Sequence, residues 1–384
     1  MKLWCCYVPN LGSYSYVKLG DISEVITKGT TAKKFLNDGV AFIKIESINS
    51  RTTLGNKLSY ISEEEHKTYL KRSILKEGDI LFSIAGALGI VHIVQKEELP
   101  ANTNQALSII RLKQKEKIEY VSWFLETPSI KKMILELKSI GAQPNLSLEQ
   151  ISNIKIPMLS SNKLEHIVVE LLNTIEKRIE TQNKIIEKYE SLIKQLNDDI
   201  FSRGDNSKIS DFIQELSKRN KEGAVTNVLS VSNKNGFVKQ SEQFEDKELA
   251  SEDKTNYKIV QKGDFAFNPA RINVGSIALL KNQEIGIVSP MYICFKAKNI
   301  PSEILESYFS SSSFKKEMNK RLEGSVRMCL TIDGMKNIRF HNPSKKEIDI
   351  LSRLTKLKEL VVISKRILDL YNSQKSYLLS NLFI

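Results

Sequence analysis

Two segments of the chain carry apolar residues at alternating intervals of four and three positions, the spacing of a helix that buries a narrow stripe. The first stripe consists of Val168, Leu172, Ile175, Ile179, Gln182, Ile186, Tyr189, Ile193, Leu196 and Ile200. The second consists of Ile350, Leu354, Leu357, Val361, Ser364, Leu368, Tyr371, Lys375, Leu378 and Leu382. A polar residue, Gln182 or Ser364, stands at the same point of each. Both segments are therefore predicted to be long helices.

Helix start signals precede both stripes. Ser344 with Glu347 forms a capping box, and Asn162 with Glu165 resembles one. Because each stripe is narrower than a face that packs on a core, we predict that the helices pair in one molecule as an antiparallel coiled coil. The predicted pairing residues are Leu172, Ile175, Ile179, Gln182 and Ile186 with Leu354, Leu357, Val361, Ser364 and Leu368. The alternative is that each helix packs separately on its own domain.

The chain also repeats itself in order. Residues 75–82 (LKEGDILF) recur as 260–267 (VQKGDFAF), residues 146–156 as 330–340, and residues 189–201 as 371–383. The offsets are 185, 184 and 182 residues, so both the order and the spacing are kept. Such a pattern indicates a tandem duplication. Asp79 and Asp264 recur at a Gly-Asp turn and are interpreted as structural.

Each repeat begins with a part in which short strand-like runs lie between Gly, Asn and Pro. These runs are residues 42–48, 90–94 and 106–112, with counterparts at 225–231, 276–280 and 292–295. A helix capped by Thr127 is predicted from Pro128 to about Lys138. The predicted fold class is α+β, with two tandem mixed α/β domains separated by the two long helices. The predicted segments are residues 1–158 and 204–342 for the domains and 159–203 and 343–384 for the helices.

Composition adds a preference for a polyanionic partner. The 384 residues include 57 Lys and Arg against 45 Asp and Glu, a net charge of +12, which suits the phosphates of nucleic acid. Cys5, Cys6, Cys294 and Cys329 form no Cys-x-x-Cys pair and are interpreted as reduced thiols without a zinc site. No apolar run approaches the roughly 18 residues of a membrane helix. We therefore expect a cytoplasmic protein with no membrane partner.

Motifs of known catalytic sites are absent from the sequence. Residues 268–271 (NPAR) lack the second proline and the aromatic residue of an amino-methyltransferase motif, and there is no phosphate-binding P-loop. Residues 86–89 (GALG) suit a tight turn rather than a dinucleotide site. The four histidines have no metal-ligand spacing. The sequence therefore predicts a protein that is not an enzyme.

Several short motifs keep their order within this domain–helix–domain–helix duplication. They are VKLGD (17–21), GDILFS (78–83) followed by Gly86 and Gly89, NTNQ (102–105), GDFAFN (263–268), RINVGS (271–276), VSPMY (288–292) and GSVR (324–327). On these motifs the chain resembles the specificity subunits of Type I restriction-modification enzymes, from about Val17 onward. Residues 1–16 have no place in the family pattern.

The resemblance implies that each domain recognises one half of a bipartite, asymmetric site in double-stranded DNA. It also implies that the helices set the half-site spacing and dock two methyltransferase subunits, which bind S-adenosylmethionine, while motor-nuclease subunits use ATP and Mg²⁺. No cofactor is expected in this chain. Two alternatives remain: a single-chain DNA modification enzyme with unrecognised catalytic residues, which would need a methyl-donor pocket, and a coiled-coil scaffold that binds only protein.

Base recognition would fall to side chains beside the family-like turns. Phosphate contacts fix position, while arginine pairs with guanine and asparagine or glutamine with adenine in the major groove. The DNA-binding candidates are Lys44, Asn102, Asn104, Gln105, Gln143, Asn268, Arg271, Asn273 and Arg327. Lys44 is expected in an alternating strand, where it would be solvated or contact a phosphate. For the amides, the competing interpretation is a turn residue that bonds its own backbone.

Overall fold

The computed structural model describes residues 14–138, 145–203, 207–233, 235–240, 253–324 and 328–383. The helices are α1 (Leu19–Ile22), α2 (Glu63–Lys67), α3 (Ile118–Leu125), α4 (Pro128–Lys138), α5 (Leu148–Ser152), α6 (Asn162–Phe201), α7 (Ser302–Phe309), α8 (Ser312–Asn319), α9 (Ile332–Lys336) and α10 (Lys345–Asn381). In the first half, the strands are β1 (Tyr14–Lys18), β2 (Ser23–Lys28), β3 (Val40–Ile43), β4 (Ser59–Ile61), β5 (Ile80–Ser83), β6 (Val91–Ile93), β7 (Ala101–Thr103), β8 (Leu107–Leu112) and β9 (Lys155–Leu159). In the second half, they are β10 (Ile213–Leu216), β11 (Val228–Ser232), β12 (Gly236–Lys239), β13 (Lys258–Gln261), β14 (Asp264–Phe267), β15 (Ile277–Leu279), β16 (Ile285–Val288) and β17 (Ile293–Ala297).

The chain divides into two compact units. Unit 1 comprises Met1–Gln182 and Ile367–Ile384, and unit 2 comprises Asn183–Arg366. Each unit therefore contains one globular part together with a segment of α6 and a segment of α10. The mixed α/β character predicted from the sequence is confirmed. No helix in the described ranges is long and apolar enough to cross a membrane.

The two globular parts have similar sheet topologies. Unit 1 has a four-stranded sheet of order β2-β8-β5-β6, and unit 2 has the matching order β10-β17-β14-β15. A second sheet, β4-β3-β7, corresponds to the β12-β11-β16 part of the four-stranded sheet β12-β11-β16-β13 in unit 2. Each second sheet contains one parallel pair, β3 with β7 and β11 with β16. The duplication indicated by three sequence segments thus extends through both sheets.

Local contacts repeat as well. The side chains of Ser147 and Thr331 accept hydrogen bonds from the third main-chain N–H of α5 and of α9. The Asp79 carboxylate accepts from the Lys76 N–H at 2.8 Å, and the Asp264 carboxylate accepts from the Gln261 N–H at 2.7 Å. Each carboxylate therefore closes the turn that begins β5 or β14.

Within each unit, the segments of the two long helices run antiparallel. In unit 1, Leu172 and Ile175 of α6 share a core with Leu378 and Leu382 of α10. In unit 2, Glu190 pairs with Lys365 at 2.7 Å and Arg203 pairs with Glu347 at 2.9 Å. Residue numbers therefore rise along α6 in the direction in which they fall along α10. The start of one helix and the end of the other therefore pack on each globular part.

Three local predictions differ from the structure. Asn162 and Glu165 do not form a capping box, because both side chains accept hydrogen bonds from Lys117, at 2.8 and 2.5 Å. The Thr127 hydroxyl donates to the Phe124 carbonyl at 2.7 Å instead of capping α4. Lys44 follows the end of β3 and precedes a short 3-10 helix, so it is not in a strand.

Candidate nucleic-acid interface

In unit 1, the loop after β2 and the loop after β7 lie side by side. The close approach of the two loops requires glycine at position 29, since the Cβ of any other residue would lie 2.1 Å from the Asn104 carbonyl oxygen. The Thr31 hydroxyl donates to the side-chain oxygen of Gln105. Gln105 is exposed, and its amide nitrogen makes no hydrogen bond with the described residues. This edge therefore presents a fixed glutamine with a free donor, the group that recognises adenine N7.

Beside this edge lies a basic and aromatic patch that the sequence analysis missed. Phe35 is 44% exposed and Tyr69 is 49% exposed. The Lys44 ammonium lies 4.0 Å from the centre of the Phe35 ring, and the Lys33 ammonium lies 4.5 Å from that of Tyr69. Arg72 reaches the Thr30 hydroxyl at 3.4 Å. Cations held over aromatic rings are positioned to contact phosphates. The run Lys33-Lys34-Phe35 was the available signal.

Two asparagines near this edge serve the fold. Asn102 is 0% exposed in β7, and its amide nitrogen donates to the Leu70 carbonyl at 3.0 Å, while its oxygen contacts the His66 ring. The Asn104 oxygen accepts from the Ala106 N–H at 3.1 Å and closes a turn. In this arrangement Asn102 cannot reach a base without unfolding β7, whereas Asn104 orients the loop that carries Gln105.

In unit 2, the turn between β14 and β15 is the candidate surface. The Asn268 N–H donates to the Ser276 carbonyl at 3.0 Å, and its side-chain oxygen accepts from the Ala270 N–H at 3.0 Å. These two bonds close the turn and leave the side chains of Arg271 and Asn273 exposed. Met291, 62% exposed, contacts the Asn268 amide from the neighbouring loop. The turn therefore offers one arginine and one amide from a fixed backbone.

The remaining candidates are placed as follows. Gln143 and Arg327 lie outside the described residues. Among the helix-pairing residues, the buried ones are Leu172, Ile175, Ile186, Leu354, Val361 and Ser364, and the half-buried ones are Ile179, Gln182, Leu357 and Leu368. None of these ten residues is fully exposed.

A polar cluster joins the globular part of unit 1 to its helices. The Arg51 guanidinium stacks on the Trp123 ring at 3.9 Å and donates to the Asn173 side-chain oxygen at 2.7 Å. The Trp123 indole N–H donates to the same oxygen at 3.0 Å. The Lys375 ammonium of α10 lies 4.9 Å from the centre of the Trp123 ring and pairs with Glu176 at 2.7 Å. Because Arg51 is buried, its pKa is lowered, and nearby glutamates oppose that shift.

We find no group of three or more His, Cys, Asp or Glu side chains that could hold a metal ion in the described ranges. Cys294 is buried in unit 2, and burial raises the pKa of its thiol to about 12. Both candidate surfaces carry cationic and amide side chains, which can hydrogen-bond to phosphates and base edges.

Residues 13–191 match the family model of the Type I restriction modification DNA specificity domain. This part of the chain is similar to a Type I specificity domain. Over 152 residues it is 30% identical to the Type I restriction enzyme EcoBI specificity subunit of Escherichia coli, a match covering 38% of this chain and 31% of that protein. Over 145 residues it is 28% identical to the HindI specificity subunit of Haemophilus influenzae, covering 36% and 30%. These matches therefore span less than a third of the curated relatives.

The fold of the specificity domain and of the rest of the chain is also found in solved structures. One is the S subunit of a Type I restriction-modification system from M. genitalium, with a TM-score of 0.60, 14% identity and coverage of 98% of both chains. Another is a chain from a structure on complex assembly and conformational transition of the type I R-M system, with a TM-score of 0.56, 12% identity and coverage of 97% of both chains. The common fold extends well beyond residues 13–191.

Proposed function

We propose that this chain is the DNA-sequence-recognition subunit of a Type I restriction-modification enzyme, with one recognition domain in each unit. The observation that carries the proposal is the repeated topology. The family match covers residues 13–191, and unit 2 repeats the strand order of the first sheet and of the three strands of the second, including its parallel pair. Two copies with different loops suit a bipartite site whose halves differ in sequence.

Some loop residues would position the DNA through its phosphates, and others would recognise its bases. Lys33 and Arg72 in unit 1 would contact phosphates, while Gln105 would donate to an adenine. In unit 2, Arg271 would pair with guanine O6 and N7, and Asn273 with adenine. Different residue types on the two surfaces would give different half-sites.

The long helices would form one antiparallel coiled coil, set the half-site spacing and dock the methyltransferase subunits. Apolar residues exposed on α10 support a protein partner: Leu370 is 64% exposed and Tyr377, seven residues later, is 51% exposed. Residues seven apart lie on the same side of a helix. S-adenosylmethionine, ATP and Mg²⁺ would be bound by the partner subunits, and this chain would catalyse no reaction.

The decisive experiment maps methylated adenines in DNA from a methylation-free host. The chain is expressed with its methyltransferase partner, and each protein is also expressed alone as a control. We expect methylation at one bipartite motif only when both proteins are present. Radiolabelled methyl transfer to DNA by the purified chain alone, surviving repurification, would contradict the proposal. Methylation without a sequence motif would do so as well.

A further inference from the structure

Unit 2 contains a cavity of about 640 Å³ that neither recognition nor helix pairing explains. It lies between β12, β15, α7 and the α10 segment of the same unit. Its apolar wall includes Phe309 and Val362, while its polar wall carries the amides Asn233, Asn235, Asn282 and Gln283. A concave site with an apolar wall and a few convergent polar groups is the usual form of a small-molecule site.

Two lysines from different elements meet at this cavity. Lys281 follows β15 and forms an ion pair of 2.7 Å with Glu306 of α7. Lys358 of α10 makes no hydrogen bond or ion pair with the residues that the structure describes. Burial lowers the pKa of Lys358, the nearby charge of Lys281 lowers it further, and Glu306 opposes both effects. The lining thus holds two ammonium groups and one carboxylate, which leaves one positive charge uncompensated.

We infer that this cavity binds a phosphoryl group between Lys358 and Lys281. A phosphoryl group brings a negative charge of roughly 1.5 to 2 and three strong acceptor oxygens. It would compensate the Lys358 ammonium and accept hydrogen bonds from the amide side chains of the polar wall. The volume exceeds that of a bare phosphate ion, so the group would be attached to a larger body packed against the apolar wall.

The phosphoryl group has two sources to distinguish: a small mononucleotide-like molecule, or the backbone of bound DNA. The cavity is continuous with the turn that carries Arg271, since Gly275 lines it and a Cβ there would stand 3.7 Å from the Asn233 carbonyl oxygen. The Ser276 hydroxyl donates to the Val231 carbonyl at 3.0 Å and fixes the end of that turn. The DNA source rests on the proposed function, whereas the small-molecule source does not.

The first experiment measures thermal unfolding of the full chain with inorganic phosphate or a nucleoside 5′-monophosphate, against chloride at equal ionic strength. We compare the wild type, Lys358→Met and the control Lys356→Met, which removes an exposed lysine from the same helix. A small phosphate ligand raises the melting temperature of the wild type and of the control but not that of Lys358→Met. Lys281→Met should lose the same shift.

The second experiment measures the salt dependence of binding to the DNA motif found by methylation mapping. If the group belongs to DNA, Lys358→Met lowers the slope of log K against log salt by about 0.9, the value for one phosphate contact, while Lys356→Met leaves it unchanged. A phosphate shift without a slope change assigns the small molecule, and a slope change alone assigns DNA. If neither measurement separates Lys358→Met from Lys356→Met, the inference is wrong. The thermal measurement is independent of whether the chain binds DNA.

Discussion

Asn173 of α6 forms hydrogen bonds to three side chains of the globular part of unit 1, and its replacement by alanine should destabilise that unit. Its side-chain oxygen accepts from the buried Arg51 guanidinium at 2.7 Å and from the Trp123 indole at 3.0 Å. Its nitrogen donates to Glu119 at 2.6 Å. Truncation would remove the acceptor that the Arg51 guanidinium and the Trp123 indole N–H share.

The magnitude follows from these contacts. A hydrogen bond from a charged donor contributes about 1.5–3 kcal/mol and a neutral one about 1 kcal/mol. The bond to the exposed Glu119 contributes little, since solvent screens it. Alanine regains up to about 0.7 kcal/mol of helix propensity. The expected net loss is about 2.5 kcal/mol, which lowers the urea midpoint by roughly 1.2 M for a slope of about 2 kcal/mol per molar.

Tryptophan fluorescence during urea unfolding is the assay. The chain has two tryptophans, Trp4 and Trp123; Trp4 is replaced by phenylalanine in every variant, so the signal comes from Trp123, which is buried in the core of unit 1. The control is Asn372→Ala, the same substitution at an exposed position of α10. If the midpoint of Asn173→Ala falls within about 0.3 M of this control, the reasoning about the cluster is refuted.

Two further predictions concern DNA recognition. Arg271→Ala should relax recognition of one half-site only, at a cost of about 1–3 kcal/mol at one base position; binding to a panel of single-base variants tests this, and equal weakening on all sequences would instead indicate a phosphate contact. Inserting seven residues at matched points of α6 and α10 keeps the seam and adds about 10 Å of helix. We expect the same half-sites with about three more base pairs between them, and an unchanged spacer with full methylation would show that the helices do not set it.

Patterns that depend on local periodicity were predictable from the sequence. The capping box of α10 is observed, with the Ser344 N–H donating to Glu347 at 2.8 Å. The helix α4 begins at Pro128, as predicted. The capping box follows from a short-range rule, in which a side chain meets a main-chain group three residues away, and the helix start follows from the preference of proline for the first helical position. The duplication was also predictable, because it is found by comparing the sequence with itself.

Contacts between distant residues were not predictable in the same way. Asn102 was chosen because it lies beside a family-like turn, but β7 pairs in parallel with β3, about 60 residues earlier, and that pairing buries the amide. Asn162 and Glu165 have the spacing of a capping box, yet both side chains accept hydrogen bonds from the distant Lys117 instead. The basic patch around Phe35 and Tyr69 was missed for the same reason, since these aromatics meet their lysines across loops.

The two repeats differ in a residue by which the long helices pack on the globular parts. Ile193 of α6 corresponds in the repeat to Lys375 of α10. In unit 2, Ile193 packs against an apolar core that includes Phe201 and Tyr308. In unit 1, Lys375 instead needs the carboxylates of the polar cluster. Placing the Lys375 segment against the apolar core would bury an ammonium without a partner, which costs several kcal/mol. The Lys375 segment of α10 therefore suits unit 1, and the Ile193 segment of α6 suits unit 2. The polar cluster restricts which of these two repeated segments can pack on unit 1.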